Sequence, residues 1–206
     1  MSRTRRYLAL GDSYTIGEGI APEDRWPVQL ADALRDGGLA IDAPEVVATT
    51  GWTTDELDAG IDAASPRGPY DLVSLLIGVN DQYRGRDVAL YGPAFSALLE
   101  RAIGFAGGDV SRVFAVAIPD WGVTPFGAHS GRDPDAIARE LDAYNASAAA
   151  ICAARGVAFV DIAPVSRARG GEADMLADDG LHPSARLHTQ WMQLALPVAR
   201  RVLSRA

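Results

Sequence analysis

An α/β fold built on a parallel sheet is what this 206-residue sequence predicts, on three observations. Short β-rich runs alternate along the chain with longer segments of helical period, the sequence form of repeated strand–helix units. Two of those runs, Leu72 to Ile77 and Val113 to Ile118, are almost continuously apolar, as strands covered by helices on both faces must be. No internal repeat, low-complexity tract or linker interrupts the pattern, so residues 1–206 are read as a single domain. Scaling of surface with mass gives a folded area of about 9,000 Å² and burial of roughly 70% of the unfolded chain's surface, enough for a core without covalent staples.

The first candidate strand, Tyr7 to Leu10, ends in Gly11-Asp12-Ser13-Tyr14. Trp26, Leu30, Ala33 and Leu34 then recur at helical spacing and stop at Gly37-Gly38. Val46 to Ala48 is the second strand, followed by Thr49-Thr50-Gly51-Trp52. Thr53 and Glu56 stand at capping-box spacing and open the next helix. Leu72 to Ile77 runs into Gly78-Val79-Asn80-Asp81, and Val113 to Ile118 into Pro119-Asp120-Trp121-Gly122. Asp133-Pro134 supplies an N-cap and a proline at the first helical position, before a stripe of Ile137, Leu141, Tyr144, Ala148, Ile151 and Cys152. That stripe makes Cys152 a core residue. Ala158 to Ile162 is the fifth strand. The last helix should start near Ser184 and turn Leu187, Trp191, Leu194, Val198 and Val202 toward the sheet, with Pro197 imposing a kink or a division. Pro119 to Arg132 and Pro164 to Asp179 are the longest stretches without a period.

Composition excludes several chemistries. All nineteen basic residues are arginine, so a Walker-type phosphate loop, a pyridoxal Schiff base and an S-x-x-K hydrolase site, each of which needs a lysine amine, are ruled out. A net charge of −8 argues against nucleic acid or a stable hold on anionic membrane as partners, because both need a cationic surface. No H-E-x-x-H motif or cysteine pair supports a metal site. Gly17 and Gly19 do not extend to a dinucleotide fingerprint, since Pro22 takes the third position. No cofactor is implied. The G-x-S-x-G elbow of α/β-hydrolases also fails, because Thr15 follows Gly11-Asp12-Ser13-Tyr14. After Arg3, Arg5 and Arg6 the apolar run Tyr7 to Leu10 is too short for a secretory leader, no long apolar span occurs elsewhere, and the single cysteine fits a reducing compartment. A cytoplasmic location is the expectation.

In parallel sheets ligands bind beyond the carboxyl ends of the strands. Here those ends deliver Ser13, Gly51 and Asn80, and the segment before the last helix delivers Asp179-Gly-Leu-His182-Pro183. Each block alone has a structural reading: Gly-Asp-Ser as a turn or cap, Asn-Asp as a turn, Asp179 and His182 as a surface pair. Together they supply what acyl transfer needs. The four blocks, Gly11-Asp12-Ser13-Tyr14, Gly51, Gly78-x-Asn80-Asp81 and Asp179-x-x-His182-Pro183, resemble those of the GDSL esterases and lipases, or SGNH hydrolases, in the same order and across nearly the whole chain. Tyr14 replaces the leucine of the family's first block. The resemblance implies a flavodoxin-like three-layer α/β/α sandwich with strand order 2-1-3-4-5.

The chemistry of the residues agrees. Ser13 needs a base, and His182 is the one histidine of three with an aspartate three residues earlier. Asp179 would accept the Nδ1 proton of His182 and leave Nε2 for the Ser13 hydroxyl. The N–H groups of Ser13 and Gly51 and the Asn80 amide would form an oxyanion hole, with glycine at 51 keeping a Cβ out of the substrate's way. Asp12 and Asp81 are assigned to hydrogen bonding within their loops, and His129 and His188 to solvent. Tyr14, Trp52, Tyr83, Trp121 and Phe126 are candidate substrate-pocket walls. The expected activity is cleavage of a small-molecule carboxylic ester or thioester, with an acyltransferase using the same triad and a silent ligand-binding module as alternatives. The lack of a long lid segment favours an open site and short or varied acyl groups.

Overall fold

The computed structural model describes residues 3–204. β1 (Tyr7–Gly11), β2 (Glu45–Ala48), β3 (Leu72–Leu76), β4 (Val113–Val116) and β5 (Ala158–Val160) form one parallel sheet in the order β2-β1-β3-β4-β5. Every expected strand is present within two residues at either end. β1 and β3 are buried at every position, as central strands between two helical layers must be.

The helices are α1 (Ser13–Ile16), α2 (Trp26–Asp36), α3 (Thr54–Ala64), α4 (Val79–Tyr83), α5 (Val88–Phe105), α6 (Pro125–His129), α7 (Pro134–Arg155), α8 (Ala163–Arg169) and α9 (Ala185–Ser204). From β1 the chain steps to β2 at one edge, and its next three steps run the opposite way across the sheet. Right-handed crossovers therefore place α2 on one face and α3, α5 and α7 on the other. α9 returns to pack against α2, while α5 packs between α3 and α7. Between the layers lie Trp26, Phe95, Phe114 and Trp191, each almost fully buried.

Local rules account for the helix ends. The Thr53 N–H donates to the Glu56 carboxylate at 2.9 Å, which is one half of the expected capping box. Asp133 accepts the Asp135 N–H at 3.1 Å and opens α7 as expected, with Ile137, Leu141, Tyr144, Ala148 and Cys152 buried.

The helices add to the sequence reading and correct it in part. The long helix α5 carries no sequence assignment above, because Gly92 and Pro93 interrupt it and its apolar residues spread around the cylinder. Its signals are the Asp87 N-cap, which accepts the Ala89 N–H at 2.8 Å, and the spacing of Tyr91, Phe95, Leu98, Leu99 and Ala102. α9 buries Leu187, His188, Trp191, Ala195, Ala199 and Val202, whereas Leu194 is 42% exposed and Val198 is half-buried. The stripe advances by four residues from Trp191, not three. Pro197 does not divide α9: Pro197 and Gln193, whose carbonyl loses its N–H partner, are both exposed, so water can replace the missing donor. The two aperiodic stretches contain the short helices α6 and α8.

Candidate active site

Register aligns the strand ends. Gly11 pairs with Ala48 of β2 on one side and with Leu76 of β3 on the other, so the segments after β1, β2 and β3 leave the sheet at one level. This is also where the strand order reverses, the place at which open α/β sheets bind ligands.

Ser13 is the first residue of α1 and is 4% exposed. A Cβ at Gly11 would lie 2.5 Å from the Leu76 carbonyl and 2.7 Å from the Thr15 side chain, so only glycine lets β1 run so tightly into this turn. Asp12 caps α1, its Oδ1 accepting the Tyr14 N–H at 3.0 Å. Burial pushes the Asp12 carboxyl up to about 7, against the Tyr14 N–H and reinforced by the charge of Asp81. The loop role expected of Asp12 is the one seen.

The loop before α9 is held at both ends. The Ala177 N–H donates to the His182 carbonyl at 2.8 Å, and the Ser184 N–H to the Met175 carbonyl at 2.9 Å. Within it, Asp179 Oδ1 accepts the N–H groups of Leu181 and His182, each at 2.9 Å, and Oδ2 lies 2.5 Å from His182 Nδ1. Burial acts to raise the Asp179 pKa, but the hydrogen bonds from the His182 ring and these two N–H groups together hold it below its usual value. In a neutral ring, Nδ1 donating to the carboxylate leaves the lone pair on Nε2. The edge of Tyr14 meets the His182 ring at 5.9 Å between centroids, and Trp191 backs Tyr14 at 5.8 Å.

Gly51 has φ +86°, and a Cβ there would meet no protein atom within 4 Å. The visible requirement for glycine is thus the left-handed backbone, not space. The Gly51–Trp52 segment is held by its carbonyls: Arg84 Nη2 donates to Gly51 O at 2.8 Å and Asn80 Nδ2 to Trp52 O at 2.9 Å. One amide hydrogen of Asn80 is left over, and the N–H groups of Ser13 and Gly51 have no protein acceptor among the described residues. Asp81 serves hydrogen bonding as expected but reaches beyond its own loop, accepting the Thr54 N–H of α3 at 3.0 Å, the Thr54 hydroxyl at 2.8 Å and Arg86 at 3.0 Å.

Ser13, Gly51, Asn80 and His182 line one pocket of about 180 Å³. Tyr14, Tyr83, Trp121 and Phe126 form its aromatic wall, and Thr50, Val79 and Leu181, which the sequence reading omits, complete it. Ser13 Oγ makes no hydrogen bond to His182 among the described residues, although such contacts often close only around substrate. Asp179 lies behind His182, outside the lining.

Two side chains depart from expectation. Trp52 does not line the pocket: its ring packs over Gly60 of α3, where a Cβ would lie 2.5 Å from ring Cζ3, and only its carbonyl serves the site. His188 is not solvated but fully buried, with Nδ1 accepting the Trp26 N–H at 3.0 Å. Burial, with a smaller push from His182, lowers its pKa to about 3. His129 is exposed as expected, its Nδ1 2.6 Å from the Pro125 carbonyl. Among the described residues no helix is long and apolar enough to cross a membrane.

Residues 9–190 match the GDSL-like Lipase/Acylhydrolase family. No curated protein sequence matches the chain. Among solved structures, TesA is similar with a TM-score of 0.76 at 21% identity, over 97% of this chain and 100% of that one. A psychrotrophic esterase, EstA from Pseudoalteromonas sp., solved with monoethylphosphonate as inhibitor, gives 0.71 at 18% identity over 97% and 99%. A lipase/acylhydrolase from Enterococcus faecalis gives 0.69 at 22% identity over 98% and 97%. At these identities the likeness speaks for the fold.

Proposed function

Because this chain belongs to the GDSL-like lipase/acylhydrolase family, we propose that it is a single-domain serine hydrolase that cleaves carboxylic esters or thioesters of small molecules through an acyl-enzyme on Ser13. The observation that carries the reading is the 2.5 Å contact between Asp179 Oδ2 and His182 Nδ1, made by a histidine that shares its pocket with Ser13. It supports a base with a fixed tautomer beside a serine at a helix N-terminus.

In this mechanism Ser13 Oγ attacks the carbonyl carbon and its proton passes to His182 Nε2. Asp179 keeps the ring in place and stabilises the imidazolium. The carbonyl oxygen becomes an oxyanion, held by the Ser13 N–H, the Gly51 N–H and the spare hydrogen of Asn80 Nδ2. Collapse breaks the bond to the leaving oxygen or sulfur, which takes the proton from His182. Water then attacks the acyl-enzyme, gives a proton to the same nitrogen, and the second collapse returns that proton to Ser13 and releases the acid. The buried, unpaired Cys152 supports a cytoplasmic setting.

Intact mass after fluorophosphonate treatment tests the assignment. One adduct on the native protein and none on Ser13→Ala is the expected result. A well-folded native protein without an adduct would instead favour a silent ligand-binding module.

A further inference from the structure

Beside the Ser13 pocket lies a second, larger cleft of about 520 Å³, and Tyr83 lines both. Its walls include Arg84, Arg86, Arg132, Glu140 and Tyr144. A chain of hydrogen bonds joins residues of the two spaces. Trp121 Nε1 donates to Gln82 Oε1 at 2.8 Å, and Gln82 Nε2 donates to Glu140 at 2.6 Å. Arg132 donates to the same Glu140 oxygen at 2.6 Å while its guanidinium lies 5.6 Å from the centre of the Trp121 ring. The indole that walls the first pocket is thus linked, through Gln82 and the Arg132 guanidinium, to Glu140 and Arg132 of the second.

The chemistry of the two spaces differs. Tyr14, Val79, Tyr83, Trp121 and Phe126 make the first largely apolar. In the second, three guanidiniums invite an anion, but each is already paired. Arg132 faces Glu140 at 2.6 Å, Arg86 faces Asp55 at 2.5 Å and Asp81 at 3.0 Å, and Arg84 faces Glu56 at 3.3 Å. A phosphate or carboxylate entering here would displace one of these carboxylates or lie against Glu140. An alkyl chain would strip water from charged groups and return no hydrogen bonds. A neutral polyol meets neither objection. Among the described residues Arg132 Nε and Nη1 and Glu140 Oε1 make no hydrogen bond to the protein, leaving donors and an acceptor within one small area. Vicinal hydroxyls, which donate and accept at adjacent positions, match that set, and the half-exposed Tyr83 lines the same cleft.

We infer that the cleft is a subsite for an uncharged, hydroxyl-rich portion of the substrate, a sugar or similar polyol, with a short acyl group in the aromatic pocket at Ser13. This deepens the esterase reading and rests on it.

The test compares three acetates on the full-length protein: a methyl glucopyranoside acetylated at one hydroxyl, cyclohexylmethyl acetate, and glycerol 3-phosphate acetylated at its primary hydroxyl, with 4-nitrophenyl acetate as a general reporter of hydrolysis. The expected result is a kcat/KM for the acetylated glucoside at least tenfold above both other acetates. In Arg132→Met and in Glu140→Gln, its ratio to the 4-nitrophenyl acetate value should fall at least tenfold, chiefly through KM. Activity on 4-nitrophenyl acetate with no preference for the glucoside, or with preference for the phosphate or the cyclohexyl ester, overturns the subsite and leaves the hydrolase reading standing. A native protein inactive on all four esters and unlabelled by fluorophosphonate overturns both.

Discussion

Asp179 holds His182 by two routes, Oδ1 accepting its main-chain N–H at 2.9 Å and Oδ2 lying 2.5 Å from its ring Nδ1. One carboxylate therefore sets both the position of the residue and the direction of its imidazole. Asn at 179 would keep the size and lose the charge, and its amide would face Nδ1 as a donor, favouring the wrong tautomer. Asp179→Asn should lower kcat by about 10⁴-fold, as seen where a triad aspartate is changed in this way. Steady-state kinetics on 4-nitrophenyl acetate, with circular dichroism to confirm folding, measure it; a loss under tenfold would remove Asp179 from the proposed triad.

Asn80 has one amide hydrogen committed to the Trp52 carbonyl at 2.9 Å and one left for an oxyanion. Asn80→Ala should reduce kcat by about 10² to 10³ with little change in KM, the usual effect of removing one such donor. Activity within threefold of the native protein would assign Asn80 to loop structure alone.

Arg84 reaches across from the end of α4 to hold the Gly51 carbonyl at 2.8 Å. It is a positioning residue in this reading, because fixing that carbonyl fixes the peptide plane of a proposed oxyanion donor's loop. Arg84→Ala should lower kcat by about tenfold to 10²-fold, the scale of small misplacements at a reacting centre. The wild-type pattern of pH dependence should persist, since no proton-transferring group is removed. An altered pH profile with unchanged kcat at the optimum would contradict this role.

The pocket of about 180 Å³ at Ser13 favours short acyl groups. Acetyl and butyryl 4-nitrophenyl esters should be cleaved with kcat/KM at least tenfold above the lauroyl ester. The reverse order would show that this pocket does not hold the acyl chain.

His188 and Asp12 give stability opposite dependences on pH. The folded pKa of His188, about 3, lies below its ordinary 6.5, so the unfolded chain takes up the proton first. The contribution is complete above pH 6.5 and is lost as pH falls from there toward 3, at about 1.4 kcal/mol per unit. Asn at 188 can accept the Trp26 N–H without titrating. The native protein should lose about 2 to 3 kcal/mol more than His188→Asn between pH 8 and pH 4.5 in urea unfolding. The folded pKa of Asp12, about 7, lies above its ordinary 3.8, so its contribution is complete below pH 3.8 and is lost as pH rises through 7. Asp12→Asn should therefore gain stability relative to the native protein as pH rises from 4 to 7. Parallel pH curves for native and variant proteins would refute either assignment.

Much of the site is legible in the chain because its residues follow strands directly. A strand buried on both faces must be a short apolar run, and the residues that end such a run must stand at the sheet edge. Ser13 follows β1, Gly51 follows β2 by three residues and Asn80 follows β3 by four. Trp52 shows where this reasoning stops. Its backbone position follows from β2, but whether its ring turns into the pocket or onto α3 depends on Gly60, which leaves room for it. α5 escapes for a related reason: its solvent-facing positions Ala89, Leu90, Pro93, Ala97 and Gly104 carry apolar or small residues, so its sequence does not mark which face is exposed.

The sequence by itself determined the five strands, most of the long helices and the residues that meet at the strand ends, because periodicity and punctuation are local properties of a chain. The tertiary structure decided which way the side chains there turn and what holds them. The Arg84 bond to Gly51 joins residues 33 apart, and the Trp26 bond that buries His188 spans 162. Such contacts form only once the sheet has set its register, and no window along the sequence contains both partners.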